Sequence, residues 1–215
     1  MCIRDSNTGA GACSAPARPK LHRARREGFI INNLNNIVVV HAHPHGRRST
    51  ANRQLIEAVA GLPGVAIHDL YERYPDYDID APAEQAAIQA ADLIVFQYPT
   101  YWYSLPPLLK LWIDTVLAHG WAYGPGGTAL AGKHLWCVTT TGGEETAYQT
   151  GGYHGYPYEI FLPPLIQTAR LCGMIWLPPR IIHGVPYLDA DTLQAETARY
   201  RDRLASYPAW VADSR

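Results

Sequence analysis

The stretch IVVVHAHPHGRRSTANRQLIEAV, residues 37–59, decides the fold. It begins with an apolar, mostly β-branched run, typical of a strand that is buried on both faces. A polar loop follows at residues 43–48, and Ser49 then precedes a stretch with helical spacing. The apolar face of that helix carries Ala51, Leu55, Ala58 and Val59. The stretch therefore predicts a strand–loop–helix unit, with the loop at the carboxyl end of the strand.

The same alternation of strand and helix signals continues along the chain. Further strands are predicted at residues 65–70, 93–98, 135–140 and 174–177, with residues 180–183 as a candidate continuation of the last. Further helices are predicted at residues 82–90, 106–116, 158–172 and 189–207. Pro163 and Pro164 must kink or restart the helix in which they lie. Short crossovers predict an α/β fold, a doubly wound, five-stranded parallel sheet with helices on both faces.

Composition and charge narrow the class of protein. The 215 residues suit one α/β domain, and 47% hydrophobic residues are enough for a sizeable core. The formal net charge of -1 argues against nucleic acid as a partner. No apolar run is long enough to span a bilayer. The four cysteines lack CxxC or zinc-ligand spacing and are typical of reduced thiols, so we expect a cytoplasmic protein.

The first 36 residues differ from the rest of the chain. They carry six basic residues against two acidic ones and show neither a strand nor a helix period. They lack the apolar segment of a secretory signal, and an Arg-rich organellar transit peptide remains an alternative. We interpret residues 1–36 as a disordered or artefactual extension and residues 37–215 as the domain.

The loop after the first predicted strand has groups that suit a phosphate. It leads into a helix N-terminus, where free backbone N–H groups and the helix dipole favour an anion. The alternative is that Ser49 only caps the helix. The loop is neither a Walker A nor a GxGxxG motif. The candidate phosphate-binding residues are His43, Ser49, Thr50, Ala51 and Asn52.

The loop after the third predicted strand is aromatic. Three adjacent aromatic side chains are hard to bury together, and they can form a flat apolar wall for an aromatic cofactor. Ordinary packing of the loop on the next helix is the alternative, and it explains one or two rings better than three. The candidate residues are Pro99, Thr100, Tyr101, Trp102 and Tyr103.

Hydroxyl groups and glycines follow the fourth predicted strand. Their backbone N–H groups can bind carbonyl oxygens or an anion. Tyr148 and His154 come later in the same loop, and a phenol and an imidazole can hydrogen-bond an acceptor oxygen or relay its proton. Each of these two is, taken alone, more often structural. The candidate residues of the loop itself are Thr139, Thr140, Thr141, Gly142 and Gly143.

Two other chemistries are disfavoured. His41, His43 and His45 alternate as ligands do in some metal sites. However, Pro44 and Gly46 interrupt a regular strand there, and no carboxylate joins the three histidines nearby, so we expect no metal. The sequence has no GxSxG elbow, which argues against a serine hydrolase.

The chain resembles the flavodoxin-like NAD(P)H:quinone oxidoreductase family. Within that family it resembles the ancillary proteins of glutathione-regulated potassium-efflux systems, of the KefF and KefG type. The matching segments cover nearly everything from Ile37 to Pro208. They are HAHPHGRRSTANRQL (residues 41–55), DLYERYPDYDID (69–80), ADLIVFQYPTYWYSLPPLLKLWID (91–114), HGWAYGPGGTALAGK (119–133) and TTTGGEETAY (139–148).

The resemblance names the cofactor and the reaction. It implies a flavodoxin-like fold with FMN bound at His43 and at residues 49–52, 100–103 and 139–142. It implies that Tyr148 and His154 assist hydride transfer from NAD(P)H through FMN to a quinone or related electrophile. It also implies a homodimer in which Trp121 and Tyr123 line the flavin site of the partner subunit.

The resemblance leaves two functional hypotheses. In the first, the protein is an enzyme that also docks on the cytoplasmic face of a potassium efflux antiporter and activates it, which would place it at the inner face of the membrane. In the alternative, it is mainly a non-catalytic regulatory subunit, with FMN as a structural or sensing group.

Overall fold

The computed structural model describes residues 36–46 and 49–212. The predicted N-terminal extension lies outside the described residues except for Asn36. The strands are β1 (Ile37–His41), β2 (Val65–Asp69), β3 (Leu93–Pro99), β4 (His134–Thr140), β5 (Ile175–Trp176) and β6 (Arg180–Ile182). The helices are α1 (Ala51–Val59), α2 (Leu70–Arg73), α3 (Ala81–Ala90), α4 (Pro107–Val116), α5 (Pro163–Leu171), α6 (Ala190–Ala205) and α7 (Ala209–Ala212).

The strands form one parallel sheet in the order β2-β1-β3-β4-β5, with β6 also paired to β4. This is the strand order of flavodoxin-like doubly wound sheets, so the predicted fold class is confirmed. The predicted fifth strand with its continuation is two short strands. β5 pairs with the first residues of β4 and β6 with the last three. Pro178 and Pro179 lie between them, and a proline has no N–H to donate to the ladder.

Both faces of the sheet are buried. On one face, side chains such as Val40, Phe96 and Cys137 pack against α3, α4 and α5. On the other face, Val95 and Trp136 pack with residues of α1 and α6. Full burial of one large aliphatic side chain stabilises the fold by about 1.5–3 kcal/mol. The continuous apolar strands seen in the sequence therefore reflect helices on both faces.

The helix boundaries follow the sequence signals. α4 and α5 begin at prolines, and a 3-10 turn at Tyr158–Phe161 precedes α5, so the predicted restart at Pro163 is confirmed. Asp189 caps α6 by accepting the backbone N–H of Thr192 at 2.7 Å. Within the described ranges, no helix is long and apolar enough to cross a bilayer.

A buried carboxylate joins four elements on the α3 face of the sheet. Glu84 of α3 is 0% exposed. Its Oε2 accepts from His68 Nδ1 at 2.8 Å and from Trp112 Nε1 at 3.0 Å. Its Oε1 accepts from the Tyr74 hydroxyl at 2.7 Å and pairs with Arg73 Nε at 3.4 Å. Burial alone would raise the pKa of Glu84, but these hydrogen bonds hold it below its ordinary value.

Candidate functional site

The candidate site lies where β1, β3 and β4 end. The chain leaves β1 toward α1 on one face of the sheet and leaves β3 toward α4 on the other. The two connections diverge and open a crevice at the carboxyl ends of the strands, the place where doubly wound sheets bind ligands. All three predicted loops start at this edge.

His43 supplies a neutral donor in the first loop. Its Nδ1 accepts the backbone N–H of His45 at 3.0 Å. Because an amide N–H can only donate, the ring proton must reside on Nε2. Burial, assisted by His41 and His45, lowers the pKa of His43 from 6.5 to about 4. The ring therefore stays uncharged at neutral pH and offers one N–H to a ligand.

The other polar residues of this loop either cap α1 or connect it to β4. Ser49 Oγ accepts the backbone N–H of Asn52 at 3.2 Å, which is the capping role. The Asn52 side chain is buried and donates to Thr140 Oγ1 at 2.9 Å, so it ties α1 to β4. Thr50 is exposed and Ala51 begins the helix. Ser49 thus satisfies the N–H of Asn52, and the other N–H groups of the first turn of α1 lack an intrahelical acceptor.

Three buried polar atoms under this loop have no hydrogen-bond partner among the described residues. They are Asn52 Oδ1, Gln97 Oε1 and His41 Nε2. Buried polar atoms are nearly always paired, so these atoms suit a site that binds water or a polar ligand.

His41 has a carboxylate partner that the sequence analysis did not find. The β1–β2 register aligns His41 with Asp69, and Nδ1 lies 3.0 Å from Oδ2. The expectation that no carboxylate joins the histidines is wrong, because strand pairing brings Asp69 from 28 residues away. Even so, no group of three or more possible metal ligands occurs among residues 36–46 and 49–212.

A pocket of about 460 Å³ adjoins the first loop. His43, His45, Ser49 and Thr50 line one side of it. The other side consists of residues from the turn after β6 and from α6, namely Val185, Pro186, Leu188 and Leu193. These apolar residues were not predicted, since nothing in their local sequence marks them as part of a site.

The aromatic loop is a tight hairpin. The backbone groups of Tyr101 and Ser104 exchange hydrogen bonds of 3.1 and 3.0 Å. Trp102 and Tyr103, between them, have φ of 49° and 62°. Residues other than glycine rarely adopt positive φ, and such strain is concentrated at functional sites.

The three rings of this hairpin diverge. Tyr101 meets His43 edge-on, with ring centroids 6.1 Å apart. Tyr103 contacts His154 and Phe161. Trp102 is 90% exposed at the tip. Tyr101 and Tyr103 therefore border different parts of the crevice, and the expectation that the three rings form one flat wall is wrong.

The third loop is a hydroxyl network fixed to its neighbours. Thr100 Oγ1 lies 2.9 Å from Thr139 Oγ1 and 2.5 Å from the Tyr158 hydroxyl. Thr141 Oγ1 donates to the Gly143 carbonyl at 2.7 Å and lies 3.0 Å from His183 Nδ1. Pro99 ends β3, and Thr140 ends β4 in register with it. This network holds the ends of β3 and β4 together beneath the crevice.

Tyr148 and His154 meet over Gly143. Their rings stack with centroids 4.2 Å apart, and His154 Nδ1 lies 3.2 Å from the Tyr103 hydroxyl. A Cβ on Gly143 would lie 2.8 Å from His154 Nε2, so a larger residue there would displace the imidazole. Burial raises the pKa of Tyr148, which keeps its hydroxyl protonated. The structure thus brings both predicted catalytic residues to the predicted glycine pair.

Trp121 and Tyr123 lie in a separate, tightly built loop. Both are partly buried against the core of their own subunit. The Gly120 N–H donates to the Tyr123 carbonyl at 2.8 Å, and a Cβ on Gly127 would lie only 2.2 Å from that oxygen. Their contribution to the flavin site of the partner subunit stays a prediction.

His183 is a site residue that the sequence analysis missed. It bonds Thr141, and its ring lies 5.3 Å from that of Tyr148. Burial lowers the pKa of His183. His183 directly follows β6, and that position could have marked it as a site residue. Because residues 180–183 are predicted only as a continuation of the strand at 174–177, the end of β6 was not recognised as a further strand end.

The family model of the flavodoxin-like fold matches residues 35–204. The chain belongs to the flavodoxin-like family. A flavodoxin-like relative, the glutathione-regulated potassium-efflux system ancillary protein KefF of Klebsiella aerogenes, is 49% identical over 171 residues. The match covers 80% of this chain and 96% of KefF.

Solved structures similar to this chain share its fold but are described with different activities. General stress protein 14 from Treponema denticola, in complex with FMN, has a TM-score of 0.72 and 33% identity, covering 84% of this chain and 99% of that one. The NADPH-quinone reductase of P. pentosaceus has a TM-score of 0.71 and 29% identity, covering 78% and 96%. A protein described as a thermophilic tryptophan halogenase from Streptomycin violaceusniger has a TM-score of 0.75 and 40% identity, covering 77% of this chain and 96% of that one. KefF, the FMN complex and the quinone reductase support a quinone-oxidoreductase-like role, whereas the halogenase name does not.

Acid should destabilise this flavodoxin-like domain through His43. Its folded-state pKa of about 4 lies below the ordinary 6.5. Between these values the unfolded chain binds a proton that the folded chain does not, so stability is complete above about pH 6.5 and falls toward pH 4. His43→Asn keeps an acceptor for His45 and should remove about 2 kcal/mol of this loss. Urea unfolding of the wild type and of His43→Asn at about pH 7 and pH 4 measures this loss of unfolding free energy. An equal loss in both proteins would show that His43 is not its source.

Proposed function

We propose that the protein is an FMN-dependent NAD(P)H:quinone oxidoreductase. The observation that carries the proposal is the convergence of three structures on one crevice. A helix N-terminus beside neutral His43, a strained aromatic hairpin and the Tyr148–His154 pair over Gly143 all meet at the ends of β1, β3 and β4. The FMN complex of a 33% identical neighbour supports the cofactor.

The residues present fit FMN. A phosphate group suits the first turn of α1 with Ser49, Thr50 and the Nε2–H of His43, because these supply donors without a competing carboxylate among them. Tyr101 and Tyr103 of the hairpin, with the backbone of residues 139–143, suit an aromatic ring with polar edges. When bound, FMN supplies the hydride-transfer chemistry, and the protein supplies binding and orientation.

Tyr148 and His154 act on the acceptor in this proposal. The protonated Tyr148 hydroxyl donates a hydrogen bond to a quinone oxygen, and His154 holds or moves a proton beside it. Tyr103 orients His154 through its hydroxyl. The strain at Tyr103 is consistent with this role, since the turn places its ring against His154.

Steady-state kinetics test this proposal. NAD(P)H gives up its hydride and leaves as NAD(P)+ before the quinone binds, so double-reciprocal plots at several fixed quinone concentrations should be parallel lines. Intersecting lines would indicate that donor and acceptor bind together and would contradict the proposed order.

We further propose that the enzyme is a homodimer that docks on a potassium efflux antiporter. The support is the 49% identity with KefF, whose name describes an ancillary protein of such a system. If the protein were mainly a regulatory subunit, its turnover would be weak but its binding to the antiporter strong and dependent on FMN. Pull-down from membranes that contain the antiporter, with and without FMN, distinguishes the two. Failure to recover any transporter would reject the docking proposal and leave the enzymatic one intact.

A further inference from the structure

A second pocket lies away from the strand ends, against the opposite half of β4. Its volume is about 690 Å³, within the range of small-molecule sites. At its base the core rings of Trp136 and Tyr200 are only 3% and 2% exposed. The more exposed apolar lining consists of Trp210 of α7 with Pro178 and Pro179. None of the three predicted loops contributes to it.

Arginines line the same pocket. Arg180 and Arg199 share one carboxylate, Glu196, which Arg199 Nη1 approaches to 2.6 Å. Arg203 also lines the pocket, where the single acidic residue in the lining is Asp202. Counting Glu196, three positive charges face two negative ones, which leaves a net charge of +1. This contrasts with residues 37–215 as a whole, where 12 basic and 17 acidic residues leave −5.

The Arg203 guanidinium is positioned for an anion. It lies over the indole of Trp210, 4.8 Å from the ring centroid. Stacking fixes the plane of a guanidinium and leaves its N–H groups at the edge free to bind a carboxylate or phosphate bidentately. Arg180 and Arg199 keep several of their five N–H donors after pairing with Glu196. The pocket therefore combines apolar surface, from Trp210, Pro178 and Pro179, with the N–H donors of arginines.

We propose that this pocket binds a small organic anion with a flat apolar body. The carboxylate or phosphate meets Arg203 and Arg199, and the apolar body lies against Trp210 and the prolines Pro178 and Pro179. Two sources share this chemistry, aryl carboxylates and nucleoside monophosphates. The proposal is independent of the proposed FMN chemistry, because no residue is common to both sites.

Isothermal titration calorimetry tests the proposal. Protein loaded with one equivalent of FMN and separated from the excess, so that the crevice is occupied and the pocket is not, is titrated with 2-naphthoate, with adenosine monophosphate and with neutral 2-methylnaphthalene. We expect one of the two anions to bind with a Kd of about 1 mM or lower, and the neutral compound to bind much more weakly. Binding of 2-naphthoate alone assigns the pocket to aryl carboxylates, and binding of the nucleotide alone assigns it to nucleotide phosphates.

Variants locate the binding. Arg203→Gln should weaken the anion about tenfold, the usual effect of losing a charged hydrogen bond, and exposed Arg199→Gln serves as the second variant. Arg170→Gln removes the same charge from an exposed position of α5, outside the pocket, and should leave Kd unchanged. Unchanged binding in both pocket variants, or no binding of either anion to the wild type, would overturn the proposal.

Discussion

Replacing His154 with alanine should slow quinone reduction about 100-fold while FMN stays bound. The imidazole stacks on Tyr148 and lies 3.2 Å from the Tyr103 hydroxyl, over the glycine pair at the end of β4. Its removal takes a proton-transfer group from the crevice and leaves the phosphate loop and the hydroxyl network untouched. Stopped-flow measurement should show normal reduction of the flavin by NAD(P)H and slow reoxidation by the quinone.

Two comparisons make the His154 result specific. Gln149→Ala changes an exposed side chain of the same loop and should leave both half-reactions unchanged. FMN affinity, measured by fluorescence, should be the same in all three proteins. Wild-type reoxidation kinetics in His154→Ala would remove His154 from the mechanism, and lost FMN would show that its role is to hold the cofactor.

Glu84→Gln should give the largest loss of stability, about 3 kcal/mol. Each oxygen of the buried carboxylate accepts from donors, His68 and Trp112 on one side and Tyr74 with Arg73 on the other. A glutamine has one oxygen, so its amide N–H₂ must face donors on one of the two sides. For a domain of this size we expect the melting temperature to fall by about 10 °C.

Acid should reduce the difference between Glu84→Gln and the wild type. The folded-state pKa of Glu84 is lowered, so its stabilisation is present above the ordinary carboxyl pKa and is lost as pH falls through the folded-state value. Glu57→Gln is the matched control, since Glu57 is an exposed partner of Arg53 at 3.9 Å, and it should cost less than about 1 kcal/mol. Equal melting temperatures for Glu84→Gln and the wild type would show that the network adds no stability.

The fold could be predicted because its signals are local. Apolar β-branched runs, prolines at helix starts and short crossovers each specify an element from neighbouring residues. The division of the last strand into β5 and β6 was missed because it depends on where two prolines interrupt pairing with β4. The helix start at Pro163, by contrast, follows from proline chemistry alone.

The site was predictable in its loops and less so in its contacts. Loops at strand ends converge in any parallel sheet, so residues from three loops could be placed at one edge. Contacts such as His41 with Asp69 or Thr141 with His183 depend on strand register and on a turn that no local pattern marks. The same holds for the divergence of the three aromatic rings, because their partners His43 and His154 come from two other loops.

The visible absorption spectrum of the purified protein, before and after addition of NADPH and then of a quinone, tests the central claim most directly. We expect flavin bands that bleach with NADPH and return with the quinone. A colourless protein that cannot be reconstituted with FMN would contradict the cofactor and the proposed roles of the residues around it.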